Sequence, residues 1–144
     1  PLVKRIIEEG HLVCNHTSKH LDVTKCKSID EFRGELERLE SVYRDATGME
    51  MPKYFRPPEG KFSRQSMEFA SKLGYKTIFW SFAYADWDPA NQMEHQKAFE
   101  RITRNIHDGE IYLLHAVSET NTAILGDVID HVRNSGYVFE KYLP

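Results

Sequence analysis

Helical and strand-like periodicities take turns along this chain, and that alternation restricts its fold more than any other feature. Residues 2–9 put Leu2, Val3, Ile6 and Ile7 on one helical face and stop at Gly10. Ser28, with Glu31 three residues later, reads as a capping box opening a second helix. Phe32, Leu36, Leu39 and Val42 form its apolar face, and Gly48 ends it. Ser63 caps a third helix through Met67, Phe69, Ala70 and Leu73, stopped by Gly74. Further helices are expected over residues 91–106 and 121–134, the last ending at Gly136. Between them lie short apolar runs at residues 11–14, 53–55, 75–80, 110–114 and 137–139, each read as a strand, and Asp108-Gly109 as a turn. Helix–strand alternation with short connections predicts an α/β fold with a parallel sheet and crossover helices, closed as a barrel or open.

The bulk composition permits such a fold and excludes some functions. The 144 residues fit one domain with a core, and 40% hydrophobic and 28% charged residues are ordinary for a globular chain. A net charge of −3 and no basic patch argue against nucleic acid as partner. No apolar run approaches the roughly 18 residues that a membrane span needs. No signal peptide is visible, and the chain starts at Pro1. Cys14 and Cys26 are read as free thiols, with Cys14 small and buried in a strand.

Residues with chemical potential gather just after the expected strands, at their C-terminal ends, where α/β folds build their sites. His16 and His20 are spaced i, i+4; on a helical turn both imidazoles share a face and suit one divalent ion. Two polar surface histidines in a loop are the plainer reading. Arg56-Pro57-Pro58 fixes the backbone so that Arg56 is presented rigidly, suited to gripping a carboxylate. An ordinary rigid turn is the alternative. His115 closes an apolar strand, either as a satisfied core histidine or as a general acid. Asp86 is the candidate partner for that imidazole. Trp87 and Leu113 could wall a slot for a small apolar group or simply pack in the core. His95 and His131 fall on helices and face solvent, His107 sits at a helix C-terminus, and His11 precedes a strand; none is assigned a catalytic part.

Four motifs in this order carry a family resemblance. His16-Thr17-Ser18-Lys19-His20 matches the H-[ST]-x-x-H pattern, and Arg56-Pro57-Pro58-Glu59-Gly60 matches R-x-P-x-G. Asp86-Trp87 matches a D-W motif, and Leu113-Leu114-His115 an L-x-H motif. Over essentially its whole length the chain resembles the polysaccharide deacetylases, the NodB-homology family also called carbohydrate esterase family 4. Ile78-Phe79-Trp80-Ser81-Phe82-Ala83 and His115-Ala116-Val117-Ser118 look closest to the branch that makes muramic δ-lactam in spore cortex.

The resemblance implies a distorted (β/α) barrel and metal-dependent removal of acetyl from an N-acetylated aminosugar polymer such as peptidoglycan or a chitin-like oligomer. Carried over, His16 and His20 are ligands of a divalent metal ion, zinc first, with cobalt, nickel and manganese as alternatives. Arg56 holds the base, His115 protonates the leaving amine and Asp86 tunes it. Trp87 and Leu113 line the acetyl slot, and Pro57, Pro58 and Glu59 belong to the substrate-binding loop. Residues 1–144 are read as a single domain of this type. The T-F-D-D motif that in the family precedes the histidine motif, and supplies a ligand and the base, has no counterpart here. The implied barrel is therefore incomplete, lacking its first strands, with weak or no turnover by this chain alone. Upstream residues, a second copy associating through the open sheet edge, or an inactive core are the three outcomes expected. An extracellular or cell-envelope setting follows from the resemblance. A glycan-binding remnant and an amidohydrolase for small substrates are the rival functions.

Overall fold

The computed structural model describes residues 2–140, which form two compact units meeting in sequence between Phe79 and Trp80. In the first, α1 (Leu2–Glu8) is stopped by Gly10 at φ 86°, the left-handed conformation that glycine adopts without steric cost. A 3₁₀ turn over Val23–Lys25 is capped by Asp22, whose carboxylate accepts from Thr24. That hydrogen bond, above all from the Thr24 hydroxyl, holds the Asp22 carboxyl below its ordinary pKa. Next come α2 (Ile29–Thr47), β1 (Tyr54–Phe55), α3 (Arg64–Lys72) and β2 (Lys76–Thr77). Strands β1 and β2 pair in parallel, Tyr54 with Lys76 and Phe55 with Thr77, and Asn15 adds a parallel bridge to Phe55.

The core of this unit forms where α2, α3 and the strand ends turn their apolar sides together. Phe32 and Leu36 from α2, Phe55, Ala70, Tyr75 and Val23 are all buried. Phe32 meets Phe55 edge-to-face at 5.5 Å between ring centroids, a favourable aromatic geometry.

In the second unit, β3 (Phe82–Ala83) and β4 (Tyr112–Leu113) pair in parallel, with α4 (His95–Thr103) between them and α5 (Glu119–Asn134) following. α4 and α5 pack on each other around Ala98, Ile102, Ile124, Val128 and Val132. Ser118 caps α5, its hydroxyl accepting from the Asn121 amide. No helix among the described residues is long and apolar enough to cross a membrane.

The alternation and the parallel pairing match the sequence reading; several details do not. The run at 11–14 is no strand, because only Asn15 meets Phe55. Cys14 is accordingly half-buried outside any strand, while Cys26 is the buried thiol. Val42 is 63% exposed; Tyr43, Glu35 and Glu40 take the inner side of α2 instead. Glu31 does not close a capping box on Ser28: its carboxylate accepts from the Lys27 N–H one residue earlier. β2 is shorter than residues 75–80, and β3 lies beyond it unforeseen. α4 starts at His95, where the Glu94 carboxylate caps Gln96 and Lys97, and ends before residue 106. His107 thus lies beyond the helix, its Nδ1–H donating to Asp108 O. Residues 137–139 form no strand; Val138 and Phe139 are exposed.

Candidate active site

The histidine motif hangs from one buried asparagine. Asn15 donates its backbone N–H to Tyr54 O and accepts from Arg56 N–H, which stitches this segment to the end of β1. Its side chain donates to Leu36 O at 3.0 Å and accepts from Thr17 N–H at 2.9 Å. The chain then reverses through two residues with positive φ, Thr17 at 63° and His20 at 53°. Positive φ is uncommon for any non-glycine and rarest for a β-branched side chain. Here Thr17 is held there by Asn15 and by its own hydroxyl, which accepts from Leu21 N–H. His16 and His20 therefore meet through a strained loop and not through the helical turn expected from their spacing.

Their rings stand edge-to-face, centroids 5.0 Å apart. The His16 Nδ1–H donates to Arg56 O at 2.6 Å. A carbonyl only accepts, so Nδ1 carries the proton and Nε2 keeps its lone pair, the arrangement in which metal-ligating imidazoles are oriented. Arg56 Nη2 approaches that Nε2 at 3.3 Å. Two imidazoles so placed suit two positions around a divalent ion. Among the described residues no cluster of three His, Cys, Asp or Glu side chains gathers, so these two do not complete a ligand set.

Arg56 is half-buried, and burial lowers its pKa from the usual guanidinium value. No carboxylate of the described residues forms an ion pair with it. Pro57 and Pro58, expected in the substrate-binding loop, are fully buried, so their contribution is backbone geometry. Glu59 is the exposed residue of that loop, at φ 55°, paired with Lys61 at 2.9 Å.

The second unit builds a different kind of site. Asp86 lies just past β3, and His115 just past β4. The Asp86 side chain is fully buried and His115 is 34% exposed. Asp86 Oδ1 accepts from His115 Nδ1–H at 2.6 Å, and Oδ2 accepts from the His115 backbone N–H at 2.7 Å. One carboxylate thus fixes both the main chain and the ring of the same histidine. A third donor, Asn121 Nδ2–H, reaches Oδ2 at 2.6 Å. These bonds offset the cost of burying a charge. Trp87 is 59% exposed and stands edge-on to the His115 ring at 6.3 Å, leaving an apolar wall beside it. Leu113, half-buried, is the register partner of Ala83.

The structure thus brings His16, His20 and Arg56 together in one unit, and Asp86, Trp87 and His115 in the other. Sequence reasoning gave no role to Asn15, to Asn121, or to Tyr84, whose buried hydroxyl donates to Asn121 Oδ1. Asn121 read as an ordinary residue at a helix start, and no spacing rule links it to an aspartate 35 positions earlier.

Comparison with known proteins gives these arrangements a context. A model of the polysaccharide deacetylase family matches residues 1–78. The peptidoglycan-N-acetylmuramic acid deacetylase PdaA of Bacillus subtilis is 40% identical over 141 residues, covering 97% of this chain and 53% of that protein. The solved structure of that family 4 carbohydrate esterase matches with a TM-score of 0.91 at 38% identity, over 97% of this chain and 59% of the other. The peptidoglycan-N-acetylglucosamine deacetylase PgdA of Listeria monocytogenes is 32% identical over 96% of this chain and 28% of its own. A carbohydrate esterase family 4 pseudoenzyme from Bacillus anthracis matches with a TM-score of 0.79 at 28% identity, over 93% of this chain and 46% of the other. The chain spans about half the length of PdaA. A family match over more than half the chain, including both histidines and Arg56, has one consequence: this chain belongs to the polysaccharide deacetylase family.

Proposed function

We propose that this chain carries the acid half and two metal-ligand positions of a peptidoglycan N-deacetylase. The observation that carries the reading is the buried Asp86 carboxylate bound to both the N–H and the Nδ1–H of His115. With Nδ1 so occupied, Nε2 is the ring atom that can hold and deliver a proton. Hydrolysis of an acetamide breaks its C–N bond as water adds to the carbonyl, and the departing nitrogen must gain a proton. His115 supplies it from Nε2, and Asp86 holds the ring in the orientation that presents that atom. Trp87 and Leu113 line the side on which the acetyl methyl lies.

Members of the family are metal-dependent in general. In this chain His16 Nε2 and His20 would hold the ion. Such an ion, zinc first among the candidates, supplies a Lewis acid for the amide carbonyl. Arg56 Nη2 lies 3.3 Å from His16 Nε2, the atom that would hold the ion. No third ligand gathers with these two histidines among the described residues. We further infer a single domain of the distorted (β/α) barrel type; the parallel pairing within each unit and the likeness to PdaA support this. Muramic acid is the first substrate to try, because PdaA shares 40% identity and PgdA 32%. An envelope setting follows for a protein acting on peptidoglycan.

Acetate release from peptidoglycan, with and without zinc, tests the reading. Metal-dependent release that His115→Ala abolishes supports it; release unaffected by that substitution sinks it. A second reading, glycan binding without turnover, is favoured by the lack of a three-ligand cluster among the described residues and by the pseudoenzyme among the structural neighbours. It predicts retention on insoluble peptidoglycan with no acetate formed.

A further inference from the structure

Asp86 has a second support that the four motifs do not contain. Asn121 sits in the first turn of α5 and is buried. Its Nδ2–H donates to Asp86 Oδ2 at 2.6 Å, and its Oδ1 accepts from the buried Tyr84 hydroxyl. An amide has one donor end and one acceptor end. Asp86, as a carboxylate, only accepts, and Tyr84 donates its O–H, so the amide has one orientation that satisfies both partners. Its backbone is held as well: the Asn121 N–H donates to the Ser118 hydroxyl, which in turn donates to Gln92 Oε1. Gln92 Nε2–H donates to Asp88 O at 2.6 Å and reaches Asp86 O at 3.4 Å.

We propose that Asn121 is a positioning residue: it locks the Asp86 carboxylate so that the neutral His115 ring keeps its proton on Nδ1 and presents Nε2. The chain of bonds runs from the Tyr84 O–H, through Asn121, to Asp86 and then His115. Freed of Asn121, the carboxylate has lost one of its three donors and can rotate about its own side chain. Its two bonds to His115 then no longer share one fixed geometry. Asp86 is the charged group that meets His115. Tyr84 and Arg101 act on the network from β3's extension and from α4. The inference rests on the reading of His115 as the proton donor for its functional meaning, but the geometry it asserts is independent of turnover.

The test is nitrogen-15 and proton NMR of ring-labelled histidine in the 144-residue chain, at a fixed pH where the ring is neutral. Wild type is expected to show His115 as the Nδ1–H tautomer, with that proton at low field and protected from exchange. Asn121→Ala is expected to move the proton upfield, speed its exchange and mix in the Nε2–H tautomer. Tyr84→Phe, which only releases the amide to flip, is expected to do the same to a smaller extent. Val128→Ala, which loosens α5 in the same core without touching the network, is expected to lower stability and leave the His115 signals in place. Unchanged His115 signals in folded Asn121→Ala overturn the proposal. If that variant does not fold, unchanged signals in Tyr84→Phe overturn it. A His115 that responds as expected yet is dispensable for acetate release would instead defeat the acid reading and leave the positioning intact.

Discussion

His115 and His16 are the same side chain given opposite tasks by their surroundings. At His115 a carboxylate accepts from the Nδ1–H, which fixes the ring and leaves Nε2 for proton delivery. At His16 a backbone carbonyl accepts from the Nδ1–H, which fixes the tautomer and suits a ligand. Two predictions belong here. In a deacetylase extended to full activity, His115→Ala should lower kcat by about 10²- to 10⁴-fold, the usual worth of a positioned acid. Steady-state acetate release measures this, and the variant should also melt lower, because the buried Asp86 carboxylate loses one of its three donors. At His16 and His20, zinc should raise the melting temperature of the chain alone. At a hundred times its dissociation constant an ion adds about 2.7 kcal/mol. A thermal shift that persists in both His16→Ala and His20→Ala would show that the ion binds elsewhere.

Helix starts do much of the aiming in both units. Ser28, Ser63 and Ser118 each accept from the backbone N–H three residues on. The first two follow from the sequence, because a small hydroxyl ahead of an apolar helical face has few other uses. Ser118 has an added part: its cap bond holds the Asn121 backbone while its own proton goes to Gln92. Ser28→Ala should therefore cost about 1 kcal/mol, and Ser118→Ala about 2 kcal/mol, at the upper end for a cap. Urea unfolding of both variants checks the order. The short strands were legible only as apolar runs. Their ends depend on which partner is present: Phe82 and Ala83 become a strand because Tyr112 and Leu113 lie alongside, thirty residues away in sequence.

At the scale of the molecule, polar groups inside the first unit couple its elements and set its behaviour in alkali. Tyr75 is buried, and its hydroxyl donates to the Glu40 carboxylate, which also takes Lys53 Nζ at 2.5 Å. Burial first, and then Glu40, push the Tyr75 phenol above the ordinary value of 10.0. Tyr84 in the second unit is raised too, by burial and then by Asp86. A folded pKa above the unfolded one means that, above pH 10, the unfolded chain has lost protons that the folded chain still holds. Stability is then fully present below pH 10 and falls as pH rises through the folded values. Chemical unfolding from pH 8 to 11.5 should show this decline, and Tyr75→Phe should flatten it. Phe32→Ala should cost about 3–5 kcal/mol, because Phe32 is buried against Phe55 and Phe69 at the centre of its unit.

The sequence by itself determined the α/β alternation, the helix caps and glycine stops, the four motifs and hence the family, because each depends on residues within a turn or two of one another. Periodicity and capping are local physics, and a motif is a local spacing. Only the tertiary structure decided that His16 and His20 meet through a left-handed loop, because Asn15 is anchored by Tyr54, Arg56 and Leu36 from distant segments. It alone showed that Val42 faces solvent and that Asn121 and Tyr84 stand behind Asp86. A buried carboxylate must find its donors wherever packing brings them, and packing joins residues that no spacing along the chain connects.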